Sequence, residues 1–131
     1  MVPYGVKETV SELVDPLVPY LEKEGRTLSE IDRAYSNNQF IARTHEEAVK
    51  RAKESWLGKR FAMRVPDAFI PKFLVGTPEE VAEKVKVLEE QGVTHCITTN
   101  FLVETFDEIV EQVQMFGEEV IPLYRSASGK K

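Results

Sequence analysis

The sequence predicts an α/β fold in which two parallel strands are flanked by helices. Four segments open with a threonine that is followed three residues later by a glutamate, an arrangement that caps the first turn of a helix. Between these helices lie two stretches with strand character. Strands separated by helices pair in parallel through right-handed crossovers. The capping motifs begin at Thr27, Thr44, Thr77 and Thr105.

Apolar residues at helical spacing near the start of the chain predict a first helix that stops at Gly25. Pro16 and Pro19 lie inside this pattern, so we expect a kink or two shorter helices. The motif at Thr27 is expected to cap only a short turn. The apolar stripe comprises Val6, Val10, Leu13, Leu17 and Leu21.

The first strand is predicted over residues 34–43, because this stretch lies between two helices. Asn37 and Asn38 disfavour a strand there. The helix that begins after Thr44 is expected to end near Gly58. Its buried stripe comprises Ala48, Val49, Ala52 and Trp56.

Residues 61–75 are predicted to form a loop with at most a short helix, because Pro66 and Pro71 interrupt the segment. The next helix follows Thr77 and ends at Gly92, where a left-handed conformation terminates it. Its buried positions are Val81, Ala82, Val85 and Leu88.

The second strand is predicted over residues 93–99, which are rich in β-branched side chains. A last helix follows Thr105 and is expected to end before Pro122, while residues 126–131 form a flexible end. The apolar stripe of this helix comprises Phe106, Ile109, Val110, Val113, Phe116 and Val120.

Composition excludes several classes of protein. The 131 residues fit one domain, and 42% apolar with 30% charged residues is typical of a soluble globular protein. A net charge of −5 argues against nucleic-acid binding. The sequence has no signal peptide and no run of ~18 apolar residues, so we expect no membrane span. Cys96 is the single cysteine, which excludes an intrachain disulfide and a cysteine-rich zinc site. A cytoplasmic protein is expected.

Four motifs in order resemble the luciferase-like monooxygenases and their deazaflavin (coenzyme F-420) relatives. Residues 76–85 read GTPEEVAEKV and resemble that family's GTPEEVAERL segment; EQGVTH and a strand follow in both. Residues 116–125 read FGEEVIPLYR, similar to the terminal motif of the family. Upstream, residues 24–30 and 42–48 resemble a turn and a strand exit of these proteins. The resemblance covers nearly the whole chain, from about Val6 to Arg125.

The resemblance implies a TIM-type (β/α) barrel with an insertion before its last strand. Residues 1–125 would supply the sixth helix, the seventh strand and helix, the insertion helix, and the eighth strand and helix. A complete barrel takes roughly 250 residues. We therefore expect a partial barrel, whose six missing strands, with most flavin contacts and the phosphate site, would lie upstream of Met1. The implied partner is a second copy, a dimer first of all, or a chain that carries the missing half.

In a TIM barrel the chemistry lies at the carboxyl ends of the strands. The residues at these positions are Arg43, Thr44 and His45 after the first strand, and Thr98, Thr99 and Asn100 after the second. The candidates for cofactor binding among these residues are Arg43, Thr98, Thr99 and Asn100. For Thr44 a helix cap and for His45 a solvated position is the favoured interpretation. For residues 98–100, a role at the site and a purely structural role remain open.

Other residues favour structural roles. The helix start at Thr77 could hold a phosphate on its free amides, but Glu79 and Glu80 already complement the helix dipole, so a cap is favoured. His95 and Cys96 are adjacent on a strand and point to opposite faces, so they cannot form a nucleophile–base pair. Both are expected to be buried. The sequence offers no metal site, and no catalytic residue is assigned.

Members of the family use flavin mononucleotide (FMN) or coenzyme F-420 for hydride transfer or monooxygenation. The sequence does not choose between these cofactors. The first hypothesis is therefore a fragment or subunit of such an oxidoreductase that is inactive alone and binds no cofactor by itself. The alternative is a non-catalytic relic of the fold that self-associates. A small ligand-binding module is disfavoured because the phosphate-binding half is missing.

Overall fold

A computed structural model describes residues 12–64 and 70–127 as helices packed around one parallel sheet. In chain order the strands and α-helices are α1 (Val18–Lys23), β1 (Ala34–Ile41), α2 (His45–Glu54), α3 (Trp56–Arg64), β2 (Leu74–Gly76), α4 (Pro78–Glu90), β3 (His95–Phe101), α5 (Phe106–Met115) and α6 (Ile121–Ala127). Short 3-10 turns lie at Asp15–Leu17, Leu28–Glu30 and Ile70–Lys72, and a π turn at Phe116–Val120 joins α5 to α6.

The sheet has three parallel strands in the order β2-β1-β3. Residues 39–41 of β1 pair with β2, and residues 34–39 of β1 pair with β3. Asn37 lies opposite Thr98 and Asn38 opposite Asn100, so Thr99 is an extra residue that forms a bulge. The parallel α/β fold predicted from the sequence is confirmed, with one strand more than expected.

The additional strand, β2, lies in the segment that was predicted to be a loop. It has only three residues, too few for an alternating pattern, and all three are fully buried. The same segment also contributes to α3, which extends to Arg64. Its strand therefore depends on tertiary burial rather than on local sequence signals.

The threonine motifs cap helices as predicted. The hydroxyl of Thr77 accepts a hydrogen bond from the Glu80 amide at 3.3 Å, and the Glu80 carboxylate accepts one from the Thr77 amide at 2.8 Å. A reciprocal pair of the same kind opens α5 at Thr105. The hydroxyl of Thr44 caps α2, and Thr27 opens only a short turn.

The first helix behaves as predicted where the structure describes it. A 3-10 turn that includes Pro16 separates residues 12–14 from α1. The chain then leaves α1 through Gly25, whose φ of 69° is left-handed. Gly92, with a φ of 93°, ends α4 in the same region. The predicted positions Val6 and Val10 lie outside the described residues.

One continuous helix was predicted from Thr44 to Gly58, and this prediction is wrong because the helix breaks at Ser55. The backbone of Ser55 is extended, its hydroxyl donates to the Ala52 carbonyl at 2.7 Å and it accepts from the Gly58 amide at 3.0 Å. One side chain thus ends α2 and starts α3. The break turns Trp56 outward: it was predicted to be buried, but it is 60% exposed beside Arg60.

The last helix was predicted to end before Pro122, and this prediction is wrong. Proline lacks an amide hydrogen and its ring crowds the preceding turn. Here the wider π turn precedes α6, and Pro122 is the second residue of that helix. The helix continues to Ala127 and so includes two residues of the predicted flexible end; residues 128–131 lie outside the described part.

Two apolar clusters lie on opposite faces of β1. On one face, here called the α2 face, Phe40 packs with α2, Phe73, Val75 and Leu102. On the other, the α4 face, Ile41 packs with Leu74, α4 and the π turn. Since both faces are covered at its carboxyl end, β1 is buried from residue 37 to residue 41.

Candidate functional site

The three strands are parallel, so their carboxyl ends lie along one edge of the sheet, here called the rim. Arg43 follows β1 at this edge, as predicted. Its guanidinium group is exposed and makes a double ion pair with Glu119 in the π turn, with Nη2 2.8 Å from Oε1. These hydrogen bonds and the charge of the partner raise the pKa of Arg43 and lower the pKa of Glu119. Arg43 therefore lies at the rim with its charge already matched.

The prediction that residues 98–100 follow the second strand is wrong, because β3 continues to Phe101. The bulge also separates these residues. Thr98 is paired with Asn37 and is half-buried, whereas Asn100 is paired with Asn38 and is exposed. Strand partners share a face and successive residues alternate, so Asn100 lies on the α2 face and Thr98 on the α4 face. The side chain of Thr99 lies outside the described part of the structure.

A cleft of about 360 Å³ opens at the rim between β1, α2, α5 and the π turn. Arg43 and Arg51 line it together with five glutamates. Arg51 pairs with Glu108 and its guanidinium group lies 5.5 Å from the ring centre of Phe40. The glutamates of the cleft are Glu47, Glu108, Glu111, Glu118 and Glu119. Because both arginines are paired and carboxylates are in excess, the cleft is poorly suited to a phosphate group.

Gln112 forms the base of this cleft, a role that the sequence did not reveal. Its side-chain carbonyl accepts from the Ile41 amide at 2.7 Å, and its amide donates to the Ile41 carbonyl at 2.9 Å. The last hydrogen bond of the β1–β3 ladder joins the Leu102 amide to the Gln39 carbonyl at 2.9 Å. Ile41 is the next β1 residue whose amide and carbonyl face β3. The side chain of Gln112 makes the two hydrogen bonds that a neighbouring strand would otherwise make to this residue. The only sequence signal is a glutamine three positions after Ile109, inside an apolar stripe.

The helix start at Thr77 carries the predicted cap. Its amide is occupied by the Glu80 carboxylate, and a Cβ atom at Gly76 would lie 2.3 Å from Glu80 Oε2. The same carboxylate lies 3.0 Å from His45 Nδ1 and so links the starts of α2 and α4. Burial alone would raise the pKa of Glu80, but the hydrogen bonds from Thr77 and His45 lower it overall. His45 is exposed, as predicted, with Glu80 as its partner.

His95 was predicted to be buried, and this prediction is wrong: the residue is exposed at the start of β3, with Nδ1 2.9 Å from the Thr94 hydroxyl. Cys96 is half-buried against Leu88, and this burial raises the pKa of its thiol. Within residues 12–64 and 70–127, no three histidine, cysteine or acidic side chains are grouped so that they could hold a metal ion. No helix in these ranges is long and apolar enough to cross a membrane.

Comparison with known proteins identifies the architecture. A scan against models of protein families finds no match, and neither does a search of curated protein sequences. Among solved structures, monooxygenase RslO1 from Streptomyces bottropensis matches with a TM-score of 0.64 and 21% identity, over 90% of this chain and 39% of its own. Riboflavin lyase RcaE, with modified FMN and substrate riboflavin, matches with a TM-score of 0.68 and 19% identity, over 95% of this chain and 38% of the lyase. The coenzyme F-420-dependent tetrahydromethanopterin reductase from Methanopyrus kandleri matches with a TM-score of 0.64 and 21% identity. The match covers 92% of this chain and 43% of the reductase.

The chain thus has the fold of part of a (β/α) barrel, which confirms the predicted partial barrel. The matching structures are those of the luciferase-like and F-420-dependent proteins that the sequence motifs resemble. The chain spans about two fifths of the length of these structures.

Proposed function

We propose that the chain is the C-terminal part of a luciferase-like, flavin- or deazaflavin-dependent oxidoreductase and is inactive on its own. The whole enzyme carries out hydride transfer or monooxygenation. The observation that carries this proposal is the match of 90–95% of the chain to one monooxygenase, one FMN-containing lyase and one F-420-dependent reductase. Four sequence motifs in the order found in that family support it independently.

In this proposal the chain contributes part of the pocket wall. Enzymes of this kind position a cofactor ring against a substrate, and the ring supplies the hydride chemistry. Residues of β3 on the α2 face suit such a wall, because Ile97 and Asn100 lie there uncovered. Asn100 is the strongest of the predicted cofactor contacts. Thr98, Thr99 and Arg43 stay candidates with less support, since Thr98 belongs to the α4 face and Arg43 is paired.

The phosphate end of the cofactor must be held elsewhere in the complete barrel. The rim cleft has an excess of carboxylates, and the helix start at Thr77 is occupied by Glu80. The rest of the barrel would come from further chain or from a partner, either a second copy or a chain that carries the other strands. A cytoplasmic location is part of the same proposal.

A chimeric barrel tests this function. The segment of riboflavin lyase RcaE that matches this chain is replaced by the chain, and the purified protein is examined for the absorption band of bound flavin. The same barrel without the segment is the control. We expect the chimera to retain flavin and the control to lose it.

A chimera that unfolds cooperatively but retains no flavin would contradict the proposal. It would favour the alternative, a non-catalytic relic of the fold that self-associates without a cofactor. As a second arm, Asn100→Ala in the chimera should weaken flavin binding, whereas Met63→Ala, at an exposed residue of α3, should not.

A further inference from the structure

Asn38, in the middle of β1, is buried with a hydrogen-bond acceptor that the fold does not use. The residue is 4% exposed, and its side-chain oxygen Oδ1 has no hydrogen-bond partner in the part of the chain that the structure describes. Nearly all buried polar atoms in native proteins are paired, because an unpaired one has lost its bonds to water without replacement. The unpaired oxygen of Asn38 therefore calls for an explanation outside the fold itself.

The preceding residue shows what a structural asparagine does in the same strand. Asn37 is 2% exposed, and its Oδ1 accepts from the amides of Asn38 at 2.7 Å and Leu74 at 3.3 Å. Its Nδ2 donates to the Lys72 carbonyl at 3.4 Å. These bonds join β1 to the start of β2. The Oδ1 of Asn38 makes no such bond, so pairing within the fold does not explain why an asparagine occupies this position.

Asn38 lies on the side of the sheet where part of β3 is uncovered. It precedes Phe40 by two residues and therefore shares the α2 face with it. Asn100 is its partner in β3, about 4.8 Å away as neighbouring strands are, and both Asn100 and Ile97 are exposed on this face. The Oε1 of Gln39 is also unpaired, but Gln39 lies on the opposite face beneath α5. Of these two residues, Asn38 is the one with an uncovered neighbour.

We propose that Asn38 and Asn100 bind the imide edge of a flavin or deazaflavin ring, with Asn38 Oδ1 accepting from the ring N–H; this inference rests on the proposed function. An imide edge presents an N–H between two carbonyl groups, and FMN and coenzyme F-420 share it. Two neighbouring carboxamides complement this edge, because one supplies an acceptor and the other an N–H donor. Asn100 is exposed, so its side chain can rotate aside and let the ring reach the oxygen of Asn38.

Burial makes this acceptor more valuable to a ligand than an exposed one. The oxygen of Asn38 lost its water when the chain folded, so binding does not have to remove water from it. A ring N–H that reaches the oxygen therefore gains a partner without a new desolvation cost on the protein side. We expect loss of the acceptor to weaken cofactor binding about tenfold. For the same reason, its loss should not harm the ligand-free fold.

Urea unfolding of the isolated chain tests the expectation for the ligand-free fold. Asn38→Leu keeps the number and branching of side-chain heavy atoms and removes the unpaired oxygen, so the urea midpoint should equal that of the parent or rise. Asn37→Leu is the matched control in the same strand and should lower the midpoint, because it removes three hydrogen bonds. A midpoint that falls as far with Asn38→Leu as with Asn37→Leu would assign Asn38 a structural role and overturn the inference.

The chimeric riboflavin lyase tests the binding itself. FMN and an FMN analogue methylated at the imide nitrogen are titrated against the cofactor-free chimera. The unsubstituted chimera should bind FMN about tenfold more tightly than the analogue, and Asn38→Leu should abolish this preference. If leucine prevents folding, Asn38→Ala removes the same acceptor with a smaller side chain and should have the same effect.

The outcomes separate this inference from the proposed function. A chimera that retains flavin but binds FMN and the analogue equally would overturn the inference and leave the proposed function standing. A preference for FMN that persists in Asn38→Leu and Asn38→Ala would do the same. A chimera that folds but retains no flavin would overturn the proposed function, and this inference with it.

Discussion

Replacement of Gln112 by leucine should be among the most destabilising single changes in this chain. The substitution keeps a side chain of similar volume but removes the hydrogen bonds of 2.7 and 2.9 Å to the backbone of Ile41. Ile41 is 1% exposed, so its amide and carbonyl would remain buried without partners. Each unpaired buried group costs about 1–3 kcal/mol. The apolar gain from leucine offsets part of this, and we expect a net loss of about 2–4 kcal/mol.

Urea unfolding followed by circular dichroism, at one fixed chain concentration, measures this loss. Gln114→Leu is the matched control, because Gln114 is an exposed residue of the same helix that contacts Glu118. Its free energy of unfolding should stay within about 0.5 kcal/mol of the parent. If Gln112→Leu also stays within that range, Gln112 does not substitute for a strand, and the account of the rim cleft is wrong.

Three further substitutions test other parts of the structure. Thr77→Ala should cost about 1 kcal/mol of unfolding free energy because it removes a helix cap, whereas Thr77→Ser should retain most of it. Glu80→Gln should destabilise the chain at neutral pH, since the folded state lowers the pKa of Glu80 below its ordinary 4.5. That difference should persist above pH 4.5 and disappear in melts as the pH falls through the lowered pKa. Trp56→Ala should cost no more than about 1 kcal/mol, the value of its contact with Arg60. A loss of about 3–5 kcal/mol would instead show that Trp56 is a core residue.

The helix starts could be predicted from the sequence because capping is local. Thr77 and Glu80 are three residues apart, and their hydrogen bonds need no other part of the chain. The strand β2 could not be predicted from the sequence, because its three residues form a strand only when β1 and α4 bury them. Ser55 illustrates the intermediate case: a serine can bond to its own backbone or remain in a helix, and the sequence does not decide between these.

The candidate site was predictable in its position but not in its contacts. The alternation of strands and helices is enough to put Arg43 at a carboxyl strand end. Its partner Glu119 is 76 residues away, so their pairing depends on how the π turn packs. The bulge at Thr99 likewise has no sequence signature, and it decides that Thr98 and Asn100 point to opposite faces.

Cofactor titration of the isolated chain tests most directly the claim that it is one part of a flavin- or deazaflavin-binding barrel. FMN and coenzyme F-420 are each titrated against the 131-residue protein, with fluorescence of the cofactor as the readout. The account predicts no saturable binding with a Kd below ~1 μM, which corresponds to about −8 kcal/mol. The reason is that, among the described residues, the rim cleft is acidic and the Thr77 helix start is capped. A Kd below ~1 μM for either cofactor would contradict the account, because a complete cofactor site would then lie within these residues.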